Sequence, residues 1–128
     1  MIVKCSVLNH SIPIGPYSQA VKVQGLVWVS GQMAANNKGH LIVGPVTEKA
    51  HQICKNAGTV LEAADSSLDK VVKVTIFFAD LDGFVEFNKV YAEYFPHKPA
   101  RSSLEAKRLP AGATVEMELV ALEKSMFR

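Results

Sequence analysis

Three groups of residues in this 128-residue chain carry side chains suited to chemistry. Arg101 follows Pro99-Ala100 and opens a strand-like run over 101–107. Alternation along that run sends Arg101, Ser103, Glu105 and Lys107 one way and Ser102, Leu104 and Ala106 the other. A guanidinium there can hold a carboxylate through two parallel hydrogen bonds. Pairing with a surface glutamate is the commoner fate of a strand arginine, and residue type alone does not choose between the two. Glu116 and Glu118 share one face of the last apolar run with Val120. Two carboxylates among apolar neighbours invite a raised pKa, whether they do acid–base work or sit in structural ion pairs. Ser30-Gly31 ends an earlier strand-like run, where a glycine permits close backbone approach with or without a ligand.

Other chemistries find little support. His10, His40, His51 and His97 are not paired at metal-ligand spacing and no Cys-x-x-Cys occurs, so no metal site is expected. His51 reads as a helix-surface residue, and His97 sits in the loop just before Arg101. There is no nucleophile elbow, Walker loop or dinucleotide fingerprint. Cys5 and Cys54 both lie in apolar contexts and read as buried free thiols, which suit a reducing compartment. The net charge of +2 is small, and the densest basic stretch, 98–108, is interrupted by Glu105. A nucleic-acid or membrane partner is therefore not expected. The apolar run at the start is too short for a secretory signal, and it is not an Arg-rich transit segment. The expected compartment is the cytoplasm or the mitochondrial matrix.

The elements that must position these residues alternate between strand and helix. Residues 2–8 suggest an edge strand, and the prolines and glycine of 12–17 an irregular loop. Residues 18–23 and 26–31 suggest a hairpin turning at Gln24-Gly25. A loop over 34–45 leads to the clearest helix, 47–64, whose apolar residues recur at three- and four-residue steps. Thr47 can cap its start, and Asp65-Ser66-Ser67 ends it. The β-branched and aromatic run 71–79 suits a central strand. Asp82 can cap a second helix at 83–95, with Phe84, Phe87, Tyr91 and Tyr94 or Phe95 as its buried stripe. Strands at 101–107 and 114–122 flank a turn at Leu109-Pro110-Ala111-Gly112. The order β-β-β-α-β-α-β-β implies an α+β sandwich with two helices packed on one face of the sheet. The other face, with Trp28, Val29 and alternate residues of the last strand, is then bare and calls for a partner subunit. In a simple hairpin turning at Pro110-Ala111, Glu116 falls opposite Glu105, roughly 13 Å along the strand from Arg101. If Arg101 and Glu116 serve one substrate, they meet more easily across a subunit interface.

Several segments in the same order resemble the RidA (YjgF) family of enamine/imine deaminases. They are Ile14-Gly15-Pro16-Tyr17-Ser18-Gln19-Ala20, Val29-Ser30-Gly31-Gln32, the run 71–78, and Asp80-Leu81 with Phe84, Asn88 and Tyr91. Pro99-Ala100-Arg101-Ser102, Leu109-Pro110 and Val115-Glu116-Met117-Glu118 complete a likeness that covers nearly the whole chain. The resemblance implies one domain over 1–128, a chorismate-mutase-like fold and a homotrimer with active sites between subunits. It also implies hydrolysis of 2-aminoacrylate and 2-aminocrotonate, through their imines, to 2-keto acids and ammonia, with no cofactor. By the same resemblance Arg101 holds the substrate carboxylate and Glu116 orients or activates the attacking water. Ser30 and the Gly31 backbone line the pocket. Tyr17, from a neighbouring subunit, and Asn88 shape it. Ser103, also in the substrate-binding set, departs from the pattern, since many relatives carry cysteine there; no thiol nucleophile is available at that position. Two other functions fit the resemblance less directly: a non-enzymatic module for small carboxylates, and a ribonuclease or translation inhibitor, which the weak charge disfavours.

Overall fold

The computed structural model describes residues 2–5 and 15–124. The strands are β1 (Val3–Cys5), β2 (Ala20–Val23), β3 (Leu26–Met33), β4 (Val71–Phe78), β5 (Ala100–Glu105) and β6 (Val115–Leu122). Helix α1 (Val46–Ala63) lies between β3 and β4, and α2 (Phe84–Tyr94) between β4 and β5, which gives the expected β-β-β-α-β-α-β-β order. Of the edge strand expected over 2–8, the described part is β1. Residues 6–14, with His10 and part of the expected loop, lie outside the described residues.

One sheet holds all six strands in the order β1-β2-β3-β6-β4-β5. Only β4 and β5 pair in parallel; β6 runs antiparallel to both β3 and β4. The last strand therefore inserts between β3 and β4, and the expected β5–β6 hairpin does not form. Two like-handed crossovers moving the same way across a sheet put both helices on one side. Here α1 carries the chain from β3 to β4, and α2 carries it from β4 to β5.

Local sequence accounts for most element boundaries. At the β2–β3 turn Gln24 and Gly25 take φ of 49° and 80°, the double positive values of a hairpin turn whose twist matches its strands. Helix α1 starts one residue before the expected position. Pro45 is its N-cap, and Thr47 lies inside the first turn without capping. Proline's fixed φ sets the entry direction, and the Glu48 and Lys49 amides both donate to the Pro45 carbonyl. At the other end Asp65 adopts φ 59°, and the Ser66 and Asp65 amides turn back to the carbonyls of Leu61 and Glu62. This is the Schellman closure, with aspartate where glycine is usual. The cap expected from Asp82 comes instead from Asp80, whose carboxylate accepts from the Asp82 amide at 2.9 Å. A 3-10 turn over Leu81–Gly83 then runs straight into α2.

The core lies between the helices and one sheet face. Ile53, Val60 and Leu61 of α1 meet Val27, Ile76 and Met117 of the sheet, all fully buried. Phe78 packs edge-on against Phe84 and Phe87 of α2, with centroids 6.1 and 5.3 Å away. Val29, expected on the bare face, is 4% exposed and belongs to this core. Trp28 does lie on the bare face, paired across the sheet with Val120 and Val21, and is 50% exposed.

A polar clamp fixes the end of β3. Buried Asn56 donates from Nδ2 to the carbonyls of Met33 and Ala35, at 3.1 and 2.8 Å. Its Oδ1 accepts from Gln52 Nε2 at 2.8 Å. Asn56→Leu should lower the unfolding free energy by about 1–3 kcal/mol, because two carbonyls lose their donor. Urea denaturation followed by circular dichroism measures the change.

Candidate active site

The expected site residues fall into two groups. Arg101 and Ser103 stand beside Val74 and Ile76 in the parallel β4–β5 pairing. Val74 and Ile76 are fully buried under the helices, so Arg101 and Ser103 face the helix layer. Strand β5 is the sheet edge, and both side chains are half-buried rather than sealed in. The Arg101 guanidinium carbon lies 4.6 Å from the centroid of the Tyr91 ring and 5.4 Å from that of Phe84. Arg101 makes no ion pair among the described residues. Glu105, on the same side of the strand, instead accepts from the Leu81 amide at 3.1 Å. Asn88 Oδ1, Tyr91 OH and Ser103 Oγ are buried with no well-formed hydrogen bond among the described residues, although the Arg101 guanidinium approaches the Tyr91 hydroxyl. Native interiors leave few such atoms, so three in one neighbourhood mark a surface complementary to a polar ligand or to another chain.

The second group is built on a bulge. Val29 pairs with Leu119 and Gln32 with Met117, so three steps along β3 oppose two along β6. The extra residue lies at Ser30-Gly31, and a bulge of this kind re-aims side chains beside it. An ideal Cβ at Gly31 would lie 2.7 Å from Glu116 Cδ and closer still to Oε1. Only glycine leaves the carboxylate room to lie against the strand. Burial pushes the Glu116 pKa above its ordinary value, and the nearby Glu118 adds to the rise. Ser30 is tied to the loop that carries Tyr17: its amide donates to the Gln19 carbonyl at 3.0 Å and its Oγ to the Ser18 carbonyl at 2.5 Å. Tyr17 itself is exposed.

The two groups occupy opposite faces of the sheet. Glu116 pairs with Phe77 and Met33, on the face away from the helices, whereas Arg101 faces toward them. The separation expected from a β5–β6 hairpin is real but has another cause: β4 lies between the two strands, and the pleat sends the side chains apart. Within one protomer, then, Asn88, Arg101 and Ser103 share one side of the sheet and Ser30, Gly31 and Glu116 come together, with Tyr17 on the adjoining loop, but the two sets do not meet. His97 binds the Val71 carbonyl through Nε2 at 2.9 Å, bracing the start of β4. His51 pairs with the Tyr94 hydroxyl through Nδ1 at 2.9 Å. A cavity of about 230 Å³, lined by Leu41, Ile42, Lys49 and Thr114 among others, contains none of the expected site residues. Cys54 is sealed in the core, and burial pushes its thiol up to about 12, so it is inert. Sequence reasoning placed Phe84 and Tyr91 in the helix stripe and in the family likeness, but not among the site residues. The signal for Tyr91 was its hydroxyl, since a buried phenol needs a partner that phenylalanine would not.

The family model described as Endoribonuclease L-PSP matches residues 8–123. The chain belongs to this family, the RidA (YjgF) family. Protein HMF1 of Saccharomyces cerevisiae is 50% identical over 109 residues, covering 84% of each chain. Protein MMF1, mitochondrial, of the same yeast is 44% identical, over 85% of this chain and 76% of its own. The 2-iminobutanoate/2-iminopropanoate deaminase of Homo sapiens is 41% identical, over 86% and 82%. The crystal structure of Escherichia coli TdcF with bound serine superposes with a TM-score of 0.88 at 28% identity, covering 95% of this chain and 99% of that one.

Gly31→Ala should leave the fold intact and swing the Glu116 carboxylate toward water. Its pKa, followed by carbon-13 NMR of the carboxyl group, should fall toward the ordinary glutamate value of about 4.3 as the burial is lost. An unchanged titration would show that the glycine does not hold Glu116 in place.

Proposed function

We propose that this protein hydrolyses short 2-imino acids, formed from 2-aminoacrylate and 2-aminocrotonate, to 2-keto acids and ammonia. The observation that carries the reading is Arg101: a guanidinium held by aromatic faces, without an acidic partner among the described residues, beside three buried polar atoms that lack a well-formed hydrogen bond there. The human relative's name supplies the reaction class. The serine in TdcF supports a ligand of amino-acid size and charge.

In this reading Arg101 binds the substrate carboxylate and fixes the position of C2. Glu116 takes a proton from a water as its oxygen attacks C2 of the protonated imine. Glu116 then returns that proton to the nitrogen of the carbinolamine, and ammonia leaves as the C2–N bond breaks and the hydroxyl proton is lost to form the carbonyl. Such a reaction needs a positioned water and charge stabilisation rather than a nucleophilic side chain, so Ser103 suffices where a thiol is absent. Asn88 and Ser103 line the arginine half of the site, and Tyr17, Ser30 and Gly31 line the glutamate half. The halves belong to different subunits of a homotrimer, assembled through the bare sheet face. No cofactor takes part. The compartment is the cytoplasm or the mitochondrial matrix, and the name of MMF1 favours the second.

The assay couples a threonine dehydratase to threonine and follows 2-ketobutyrate release against semicarbazide competition. The protein should accelerate release, and Arg101→Ala should lower kcat/KM by about 100-fold, the scale of a lost charged bidentate contact. Full acceleration by Arg101→Ala would end the proposal. Glu116 must be ionised to act as a base, and its pKa is raised. The rate should therefore climb as pH rises through a value above the ordinary carboxylate range, and Glu116→Gln should remove that limb. A module that only binds carboxylates would keep keto-acid affinity in Glu116→Gln and show no turnover in either form.

Trp28→Glu tests the assembly. It sets a charge into the proposed interface without touching either half-site. Light scattering should report a fall from three chains to one, with activity lost in parallel. A trimer that persists with full activity would rule out this face as the interface.

A further inference from the structure

We infer that Tyr91 is a positioning residue for the carboxylate site: its ring face holds the Arg101 guanidinium flat, so that the in-plane N–H donors point at the ligand. The inference rests on the reading of Arg101 as the carboxylate anchor and adds what keeps that anchor aimed and charged.

The geometry starts on α2. Phe84, Phe87 and Tyr91 recur at three- and four-residue steps and form the stripe that faces the sheet. Phe87 is fully buried. Tyr91 is only 7% exposed, and its ring stacks on Phe95 at 4.5 Å and 24°. With Phe95 behind it, the Tyr91 ring has little room to turn. Its contact with the guanidinium carbon, at 4.6 Å, is shorter than that of Phe84. A guanidinium stacked on a ring uses its face for the contact and keeps its rim of five N–H donors free. A carboxylate partner would occupy that same rim and neutralise the charge. No such partner lies among the described residues, and Tyr91 cannot become one. Burial pushes its pKa up to about 12, and the nearby guanidinium, through its charge and one N–H directed at the phenol oxygen, pulls the other way only in part. At working pH the phenol is neutral, so Arg101 keeps its full charge for the ligand.

A strand-edge arginine would otherwise sample many rotamers, and fixing it only on binding would weaken affinity. The aromatic platform restricts it beforehand. Because the carboxylate, although bonded to C2, carries the same charge in substrate and transition state, loss of the platform should act mainly on binding of both alike, which raises KM and leaves kcat close to its original value.

The test replaces the ring while keeping the assembled protein. Tyr91→Phe retains the platform and removes only the hydroxyl, so by isothermal titration it should lose clearly less 2-ketobutyrate affinity than Tyr91→Leu. Tyr91→Leu removes it and should weaken binding and raise KM about tenfold, the scale of one desolvated cation–π contact. Should the leucine variant fail to fold, phenylalanines carrying one, two and three ring fluorines at position 91 keep the shape and drain the ring's negative face. Affinity should then fall stepwise with fluorine count. In the ligand-free protein the Arg101 Nε–H proton resonance should show a ring-current shift that is lost in Tyr91→Leu. Equal affinity in the leucine variant, equal loss in both variants, or no dependence on fluorine count would overturn the platform. If turnover proves absent while the ring-current shift and the graded 2-ketobutyrate affinity hold, the deaminase reading falls and the platform stands.

Discussion

The insertion of β6 between β3 and β4 governs the rest of the molecule. Parallel strands need a crossover, and a gap one strand wide between β3 and β4 lets the chain's last strand enter antiparallel to both. Once β6 is central, its alternation must serve two surfaces. Val115, Met117, Leu119 and Ala121 enter the core, and Glu116, Glu118, Val120 and Leu122 are committed to the opposite face. The two crossover helices already cover the first face. Glu116 therefore lies on the side of the sheet that the described residues leave open, backed by the bulge at Ser30-Gly31.

At the other end of the sheet the constraint is the edge. Strand β5 pairs with β4 alone, and its helix-facing residues lie at the margin of the core rather than beneath it. Apolar residues there would be half wasted, whereas an arginine can lay its stem on aromatic rings and keep its head toward solvent. Asn88, Tyr91 and Ser103 each bury a polar atom in the same margin without a well-formed hydrogen bond among the described residues, at about 1–3 kcal/mol per atom. Nothing in the packing of the protomer calls for these polar groups; apolar residues of similar shape would fill the same space. A ligand or a second chain arriving at this margin would supply the missing partners.

Much of this was legible in the chain. Three- and four-residue steps located both helices to within a residue, because their apolar stripes meet a sheet and have no other period to follow. Alternation correctly separated Arg101 and Ser103 from Ser102 and Leu104, and joined Glu116 to Glu118 and Val120. It failed where the outcome depends on distant pairing. A turn at Leu109-Pro110 followed by a strand looks locally like a hairpin, and no residue near it signals that β4 will intervene. Val29 was assigned to the wrong face because it was grouped with Trp28, although adjacent strand residues must point apart. The caps at Pro45 and Asp80 were each missed by two residues, since Thr47 and Asp82 are preferred cap formers by type but the backbone entry direction decides. The two halves of the site were named in advance through a family likeness. Their placement on opposite faces needed the sheet order, and Tyr91 needed the stacking geometry.

Ser103 is the most telling departure from the family pattern. A thiol is a weak hydrogen-bond donor that behaves as a small apolar group, so a cysteine at a half-buried edge position needs no partner. A serine hydroxyl in the same place does need one, and Ser103 Oγ has none among the described residues. If the position served only packing, serine would be the poorer choice at an unchanged backbone. If it served as a nucleophile, serine would need an adjacent base, and the described residues hydrogen-bonded to it include none. What remains is a polar contact to something that enters the cleft beside Arg101. A hydroxyl that hydrogen-bonds a bound ligand or its water would meet that requirement, as the proposed hydrolysis by a positioned water needs.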